Sequence, residues 1–261
     1  MDEYNETVRN IIGPKIGHIG GIMDLITSFA PYGLHPKTND ELRKEVKIWY
    51  NVFYLNMDEK GNDMKTENKI KNAKRNLLSR VGHISNWDVS NITDMSSLFA
   101  DMRLFNDPIN NWNVTNVTNM GSMFWGAINF NQPLNNWNVK NVTNMGNMFW
   151  GAINFNQPLN NWNVRNVTYM GNMFSEARNF NQPLNNWNVR NVTYMGNMFS
   201  YARNFNQPLN NWNVRNVTNM EGMFRDASSF NQPLNNWNVR NVTNMRNIFN
   251  GATSYTYDIF D

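Results

Sequence analysis

Few residues of this 261-residue sequence could carry out acid–base or metal chemistry. Cysteine is absent, and the three histidines, His18, His35 and His83, all precede the long repeated region. Catalysis by side chains needs several titratable groups that converge on one point. Four aspartates lie close together in the sequence, but no Ser/His/Asp set and no metal-ligand spacing accompanies them: Asp88, Asp94, Asp101 and Asp107. The sequence therefore predicts no catalytic residues, no metal site, no cofactor, and a protein that is not an enzyme.

One variable position could support binding instead of catalysis. It follows each W-N-V motif directly and is occupied by Ser90 and Thr115 in the first two repeats. In the next five repeats it is always a cation: Lys140, Arg165, Arg190, Arg215 and Arg240. Arginine suits bidentate contacts with carboxylates or phosphates. A row of such side chains is expected to favour an anionic partner.

The pattern around this position predicts which side chains face solvent. In the repeat that contains Trp137, the L-x-x-W-x-V pattern predicts a short strand with alternating side chains, Trp137 and Val139 inward, Asn138 and Lys140 outward. The predicted binding surface is this strand face, formed by the five cations and by Asn138, Asn163, Asn188, Asn213 and Asn238. The alternative interpretation is a solvated polar face that gene duplication has copied from repeat to repeat.

These positions recur because the chain repeats every 25 residues. Seven tryptophans mark the period, and the phrase F-N-Q-P-L-N-N-W-N-V occurs five times from Phe130 onward: Trp87, Trp112, Trp137, Trp162, Trp187, Trp212 and Trp237. A period of this length predicts a solenoid in which each repeat contacts its neighbours. After the strand, Met145, Met148, Phe149 and Ala152 follow a helical spacing. We therefore expect an α/β repeat solenoid with one short strand and one short α or 3₁₀ helix per repeat. A pure β-helix is the rival architecture.

The sequence divides into three predicted regions. Residues 1–37 form an N-terminal extension of unreadable role, within which residues 22–29 could form a short helix. Residues 38–84 show two helical stripes and are expected to form an N-terminal helical cap, since solenoids need their first repeat covered. Residues 85–261 form the repeat solenoid, whose last repeat is cut short, with Ile259 in the leucine position. Its partly open edge is a predicted site of self-association.

Charge and composition narrow the setting. The net charge is +3, and residues 112–250 carry nine Lys and Arg against three acidic residues, so the repeats are mildly basic. The acidic start and the interrupted apolar stretch at 16–30 predict neither a signal peptide nor a membrane span. We expect an intracellular protein in a host cytoplasm, or one packaged in a virion. N-x-T sequences in each repeat are interpreted as turn and cap residues, not as glycan acceptors.

Two strings carry a resemblance to a known family. G-H-I-S-N-W-D-V-S-N-I-T-D-M-S-S-L-F, residues 82–99, and F-N-Q-P-L-N-N-W-N-V closely resemble the BspA-like leucine-rich repeat family of 25-residue repeats, over residues 82–255. The resemblance implies a leucine-rich-repeat-like fold and adhesion or protein recognition in bacterial members. The chain lacks the bacterial lipobox cysteine, and its composition resembles that of members from large DNA viruses.

The sequence thus favours a non-catalytic protein-interaction or structural module that binds an acidic protein surface, and the resemblance to viral members implies a viral or virion-associated protein. Polyanion or nucleic-acid binding through the basic row is the alternative; the array lacks evident stacking aromatics on the predicted face. Tyr169 and Tyr194 occupy one position in adjacent repeats, and two interpretations stay open for them: contact aromatics, or incidental replacements of asparagine.

Overall fold

The computed structural model of the protein describes residues 33–257. The predicted N-terminal extension lies outside the described residues except for 33–37, and so do the helix expected at 22–29, His18 and Ile259. The described chain therefore comprises the helical region and the repeats.

Two α-helices precede the repeats. Helix α1, Asn39–Tyr54, begins after Thr38, whose side chain accepts a hydrogen bond from the Glu41 amide, and helix α2 spans Glu67–Val81. Gly82 ends α2 with a positive φ of 68°, which glycine adopts without a steric penalty. A short 3₁₀ helix, Ile84–Asn86, leads into the first repeat. The two helical stripes expected from the sequence are confirmed.

The repeats are joined by a ladder of main-chain hydrogen bonds. Single parallel bridges link each repeat to the next at one position, in the order Asp94, Asn119, Asn144, Tyr169, Tyr194, Asn219 and Asn244. In the repeat of Trp137, the amides of Met145, Asn147, Phe149 and Gly151 donate to carbonyls of the following repeat at 2.8–3.0 Å. We call residues 143–151 and their equivalents the ladder segment.

The ladder segment is built from tight turns, so the helix expected there is absent. The intervening amides of Met148 and Trp150 turn back to carbonyls three residues earlier. Asn147 and Gly151 have φ values of 56° and 67°, and their equivalents in the other repeats are also left-handed. A left-handed residue every fourth position interrupts an α-helix. The burial of Met145, Met148, Phe149 and Ala152 produces the helical spacing without a helix.

The strand expected at L-x-x-W-x-V is also absent: residues 134–140 contain two turns and no bridge. Here the repeats are joined by side chains, since from Trp112 to Trp237 the Nε1 of each column tryptophan donates to a carbonyl 28 residues earlier, as Trp162 does to Leu134 at 2.9 Å. The prediction that the basic row lies on a strand face is therefore wrong. The main-chain ladder belongs to the segment that follows it.

The spacing of stacked rings explains this division. Where rings in a column are nearly parallel, the distance between their centroids reports the local distance between repeats. It is 4.9 Å for Tyr169 and Tyr194 on the ladder segment, and 5.6 Å for the central Phe149 and Phe174. It reaches 6.5 Å for Trp162 and Trp187. Main-chain pairing needs about 4.8 Å. The array therefore curves, with the ladder segment inside and the tryptophan column outside, where strands cannot pair.

The core runs through every repeat as columns of identical side chains. Leu134, Trp137, Val139, Val142 and Phe155 are buried, as are their equivalents in the interior repeats. Within a repeat, paired phenylalanines stack at 4.1 Å, as Phe149 does on Phe155. These are the columns that the sequence predicted, and their burial supplies most of the apolar area removed from water.

Helix α1 takes the place of a preceding repeat. It contacts the first repeat through side chains, where later repeats contact the repeat before them partly through main-chain groups. Asn39 accepts from the amides of Thr93 and Asp94 at 3.3 Å. In later repeats the threonine amide donates to a carbonyl of the preceding repeat instead, as Thr118 does to Thr93. The hydroxyl of Tyr54 accepts from the Asn106 amide at 3.0 Å, where later repeats use an asparagine side chain. Trp49 Nε1 donates to Asp107 at 2.7 Å. These contacts satisfy amides that would otherwise lack partners.

Candidate functional site

The predicted basic row lies on the outer side of the array, three residues after each tryptophan. Lys140, Arg165, Arg190, Arg215 and Arg240 are all exposed. Within residues 33–257, none of these five side chains forms a salt bridge. The acidic groups of the later repeats are used elsewhere: Glu176 lies 3.9 Å from Arg178, and Asp226 lies 3.4 Å from Arg225. The basic row is therefore not neutralised by the described part of the chain.

The main chain beneath the basic row is held on both sides. The side chain of Asn163 accepts from the Arg165 amide at 3.3 Å, an arrangement repeated at Asn138, Asn188, Asn213 and Asn238. From the next repeat, Asn191 Nδ2 donates to the Arg165 carbonyl at 2.8 Å. The five predicted asparagines thus position the cations, and their own acceptor oxygens are occupied by that task. The charged groups themselves project from a fixed backbone.

A shallow cleft lies beside the basic row near the end of the array. It has a volume of about 310 Å³ and is lined by Asn210, Asn211, Trp212, Asn213, Val214, Asn236 and Asn238. Two of the predicted asparagines therefore line one surface depression. Its lining offers side-chain amide donors and no titratable group, so it suits hydrogen bonding and not acid–base chemistry.

The wide outer spacing makes a row of like charges tolerable. If the cations follow the tryptophan column, neighbours are separated by roughly 6.5 Å, and their repulsion in water is about 0.6 kcal/mol per pair. Because an approaching carboxylate interacts with two neighbours at once, an anionic partner would reverse this cost. The row is therefore an electrostatic feature of the exposed surface and not a stabilising part of the fold.

Sequence reasoning left the inner side of the array unassigned. Tyr169 and Tyr194 stack here with ring centroids 4.9 Å apart and 14° between their planes. Their rings cover a row of glycines, since a Cβ added to Gly146 would lie 2.5 Å from Cδ1 of Tyr169. Burial, the neighbouring Tyr169 and Glu221 raise the pKa of Tyr194. The tyrosines thus pack over Gly146 and Gly171, although glycine also stands 23 residues before Asn144 and Asn219, so the glycine alone does not predict a tyrosine.

Sequence reasoning also missed two exposed tryptophans. Trp125 and Trp150 are 36% and 37% exposed, although large aromatic side chains in this array are otherwise mostly buried. Their ring centroids lie 5.8 Å apart. Both tryptophans are near the C-terminal end of the ladder segment, whereas the basic row precedes its N-terminal end. The sequence could have identified this position as one outside the recurrent core, because serine replaces tryptophan there in the next two repeats, as Ser175 and Ser200.

The titratable groups near the helices do not assemble a reactive site. His83 lies edge-on to Trp49 with a centroid distance of 5.1 Å, and burial lowers the pKa of its imidazole. Among residues 33–257, no group of three or more His, Asp or Glu side chains is placed to hold a metal ion. In the same part of the chain, no helix is long and apolar enough to cross a membrane.

Two overlapping segments of the chain, residues 66–184 and 159–261, match one protein-family model. Together they cover α2 and every repeat, which is well over half of the chain. No curated protein and no solved structure matches the sequence. The recurrent repeat and the extent of this match lead to one assignment: the chain belongs to the repeat family described as Mycoplasma protein of unknown function, DUF285.

Proposed function

We propose that this protein is a non-catalytic protein-binding repeat module, and that its outer basic row binds an acidic protein surface. The observation that carries the proposal is a row of five exposed cations with no acidic partner among residues 33–257. The cations sit on a main chain held by asparagine side chains, so little backbone conformational freedom is lost on binding. Charge rows of this kind steer association and select partners of opposite charge.

We further propose that the repeats form a solenoid of the BspA-like leucine-rich repeat class. The support is the ladder that links successive repeats at one position, together with side-chain columns through the core. The structural module expected from the sequence is compatible with this proposal, because the two ends and long sides of such an array can be contacted independently. The curvature adds a detail that the resemblance did not supply, since it separates the basic row from the ladder.

Nucleic acid is the second candidate for the basic row. The observation that favours it is an exposed cation at the same position of five successive repeats, a row that a linear polyanion could follow. Against it, the tryptophans of the same column are buried, so in the described repeats that column offers no free aromatic face for base stacking. Protein is therefore the preferred partner, and nucleic acid becomes an outcome of the test.

The test is a pull-down with the full chain and a variant in which Lys140, Arg165, Arg190, Arg215 and Arg240 are changed to Thr. Threonine occupies this position naturally as Thr115, so the variant should fold. The control variant changes Lys69, Lys71 and Arg75 to Gln, removing exposed positive charges from α2 instead. Each lysate is tested with and without nuclease.

Defined proteins captured after nuclease treatment by the wild type and the control, but lost by the threonine variant, are the expected result. Loss of all capture on nuclease treatment would assign the row to nucleic acid. Retention of every partner by the threonine variant would contradict the proposal and leave the row as a solvated face.

A further inference from the structure

A second exposed surface lies at the end of the ladder segment. In the first three repeats it presents apolar side chains that are exposed or half-buried: Leu104, Trp125, Ile128, Trp150 and Ile153. We call these five residues the aromatic edge. Leu104 is 45% exposed, and Trp125 and Trp150 each expose more than a third of their surface. Exposed apolar residues scattered singly are ordinary, but neighbours in consecutive repeats form a patch of the kind that marks interaction sites.

The positions of the two tryptophans and the two isoleucines become polar or basic in the following repeats, and the first repeat carries Ala100 and Arg103 there. Ile128 and Ile153 are succeeded by Arg178 and Arg203, and the two tryptophans are succeeded by Ser175, Ser200 and Arg225. At these positions the apolar residues fill the second and third repeats, and the change to serine and arginine occurs between the third and fourth repeats. One side of the array therefore carries two apolar repeats followed by two repeats with arginine at the isoleucine position, in register along the array.

These arginines are available to a ligand. Arg203 forms no ion pair within residues 33–257. Arg178 lies 3.9 Å from Glu176, with both side chains nearly half exposed, and Arg225 lies 3.4 Å from Asp226 beside the ring of Tyr201. Exposed pairs of this kind contribute little, so a competing carboxylate can displace them.

We propose that this surface binds an extended peptide segment of a protein partner, with apolar side chains on the aromatic edge and acidic side chains against Arg178 and Arg203. The occupant follows from complementarity: tryptophan and arginine are the residue types that most often dominate binding, and here they are segregated along one line. A segment with the same segregation would satisfy both halves together. The inference rests on the proposed protein-binding function, but it concerns a surface other than the basic row.

The probe is a fluorescently labelled synthetic peptide with a Leu- and Phe-rich half followed by a Glu-rich half. A second peptide has the same composition with the two residue classes interleaved. Binding to the full chain is followed by fluorescence anisotropy at two salt concentrations. We expect the segregated peptide to bind at least about tenfold more tightly than the interleaved one, because only it can place both classes at once.

Matched variants come from the repeats themselves. Changing Trp125 and Trp150 to Ser copies Ser175 and Ser200, and should weaken binding of the segregated peptide by about tenfold or more while preserving the fold. Changing Arg178 and Arg203 to Ile copies Ile128 and Ile153, and should weaken binding and reduce its dependence on salt. Far-ultraviolet circular dichroism checks that each variant is folded.

The basic-row variant separates this inference from the proposed function. If it binds the segregated peptide as tightly as the wild type, the two surfaces act independently, as we expect. Equal binding of the two peptides, or undiminished binding by the folded W125S/W150S variant, would overturn the inference. Either result would leave the pull-down with the basic row unaffected.

Discussion

The inner and outer sides of the array solve the same problem, joining one repeat to the next, by different means. On the inner side, main-chain amides of the ladder segment bond directly to the next repeat. On the outer side, the repeats are up to 6.5 Å apart and are bridged by tryptophan and asparagine side chains, such as Trp162 and Asn191. The curvature of the array therefore decides where backbone pairing is possible. It also decides which side chains are committed to structure.

This difference bears on function. Inner positions are constrained by close packing, so Tyr169 requires Gly146 beneath it. On the outer side, the asparagines carry the structure and leave the position of Arg165 free to vary, as Ser90 and Thr115 demonstrate. The side chain at the position of Arg165 does not hold the repeats together. Its chemistry can therefore change from repeat to repeat at little cost in stability, which suits a binding surface.

The largest expected effect comes from the shared core between the two sides. Changing Phe174 to Ala should lower the free energy of unfolding by about 3–5 kcal/mol, since its ring is fully buried and stacks on both neighbouring repeats and on Phe180. Chemical denaturation measures the change. Arg165→Thr, at an exposed position where another repeat has Thr115, serves as the reference, with a change of about 0.5 kcal/mol or less. Similar losses for both substitutions would mean that the columns are not the core.

The inner side can be broken by adding one methyl group. Changing Gly146 to Ala should cost about 1–3 kcal/mol, because the new Cβ meets the ring of Tyr169. Combining it with Tyr169→Asn should recover most of the loss, as Ser96 is followed by Asn119 in the native first repeat. A double-mutant cycle by chemical denaturation measures the coupling. Additive effects would contradict the fitted packing.

The outer side should respond more weakly to the loss of one bridge. Changing Asn191 to Ala removes a side-chain hydrogen bond to the Arg165 carbonyl and should cost about 0.5–1.5 kcal/mol. Thermal denaturation measures the shift in melting temperature. Asn179→Ala is the control, since the hydrogen bond that the Asn179 side-chain amide donates to Asn154 is long, at 3.4 Å. An equal or larger effect of Asn179→Ala would argue against a bridging role for the Asn191 row.

The smallest effect per residue is expected from the basic row. Changing all five cations to Thr should alter the free energy of unfolding by only about 0.5 kcal/mol per position or less, in the stabilising direction at low salt, because like charges are removed. Denaturation at low and high salt checks the sign. Marked destabilisation would show that the cations are part of the structure, and would weaken the proposal that they are kept for binding.

The sequence alone predicted the period, the core columns and both helices. It could not place the ladder, because alternation around Trp137 and helical spacing around Met145 are each produced by turns in this array. Residues with positive φ, such as Asn147 and Gly151, prevent a helix in this segment, and the sequence analysis did not take them into account. The curvature of the array could not be predicted from the sequence, since it depends on how columns of side chains of different sizes pack between repeats.

The candidate site was predicted only in part. The cations and asparagines were identified by their recurrence and are exposed, but they lie beside the tryptophan column and not on a strand face. The exposed Trp125 and Trp150 were missed because a core pattern of aromatic residues hides two that point outward. Residues that recur from repeat to repeat identify the shared core and the basic row. Positions that differ between repeats, such as those of Trp125 and Trp150, identify surfaces that have diverged.

Amide hydrogen exchange in one interior repeat tests most directly whether the main-chain ladder lies on the inner side. We expect slow exchange at Met170, Asn172 and Phe174, whose amides donate to the next repeat at 2.9–3.0 Å. We expect fast exchange at Arg165, whose amide bonds only to the nearby Asn163 side chain on the exposed outer side. Protection of the segment around Arg165, with rapid exchange at Met170 and Asn172, would place the ladder under the basic row and contradict the division between the two sides.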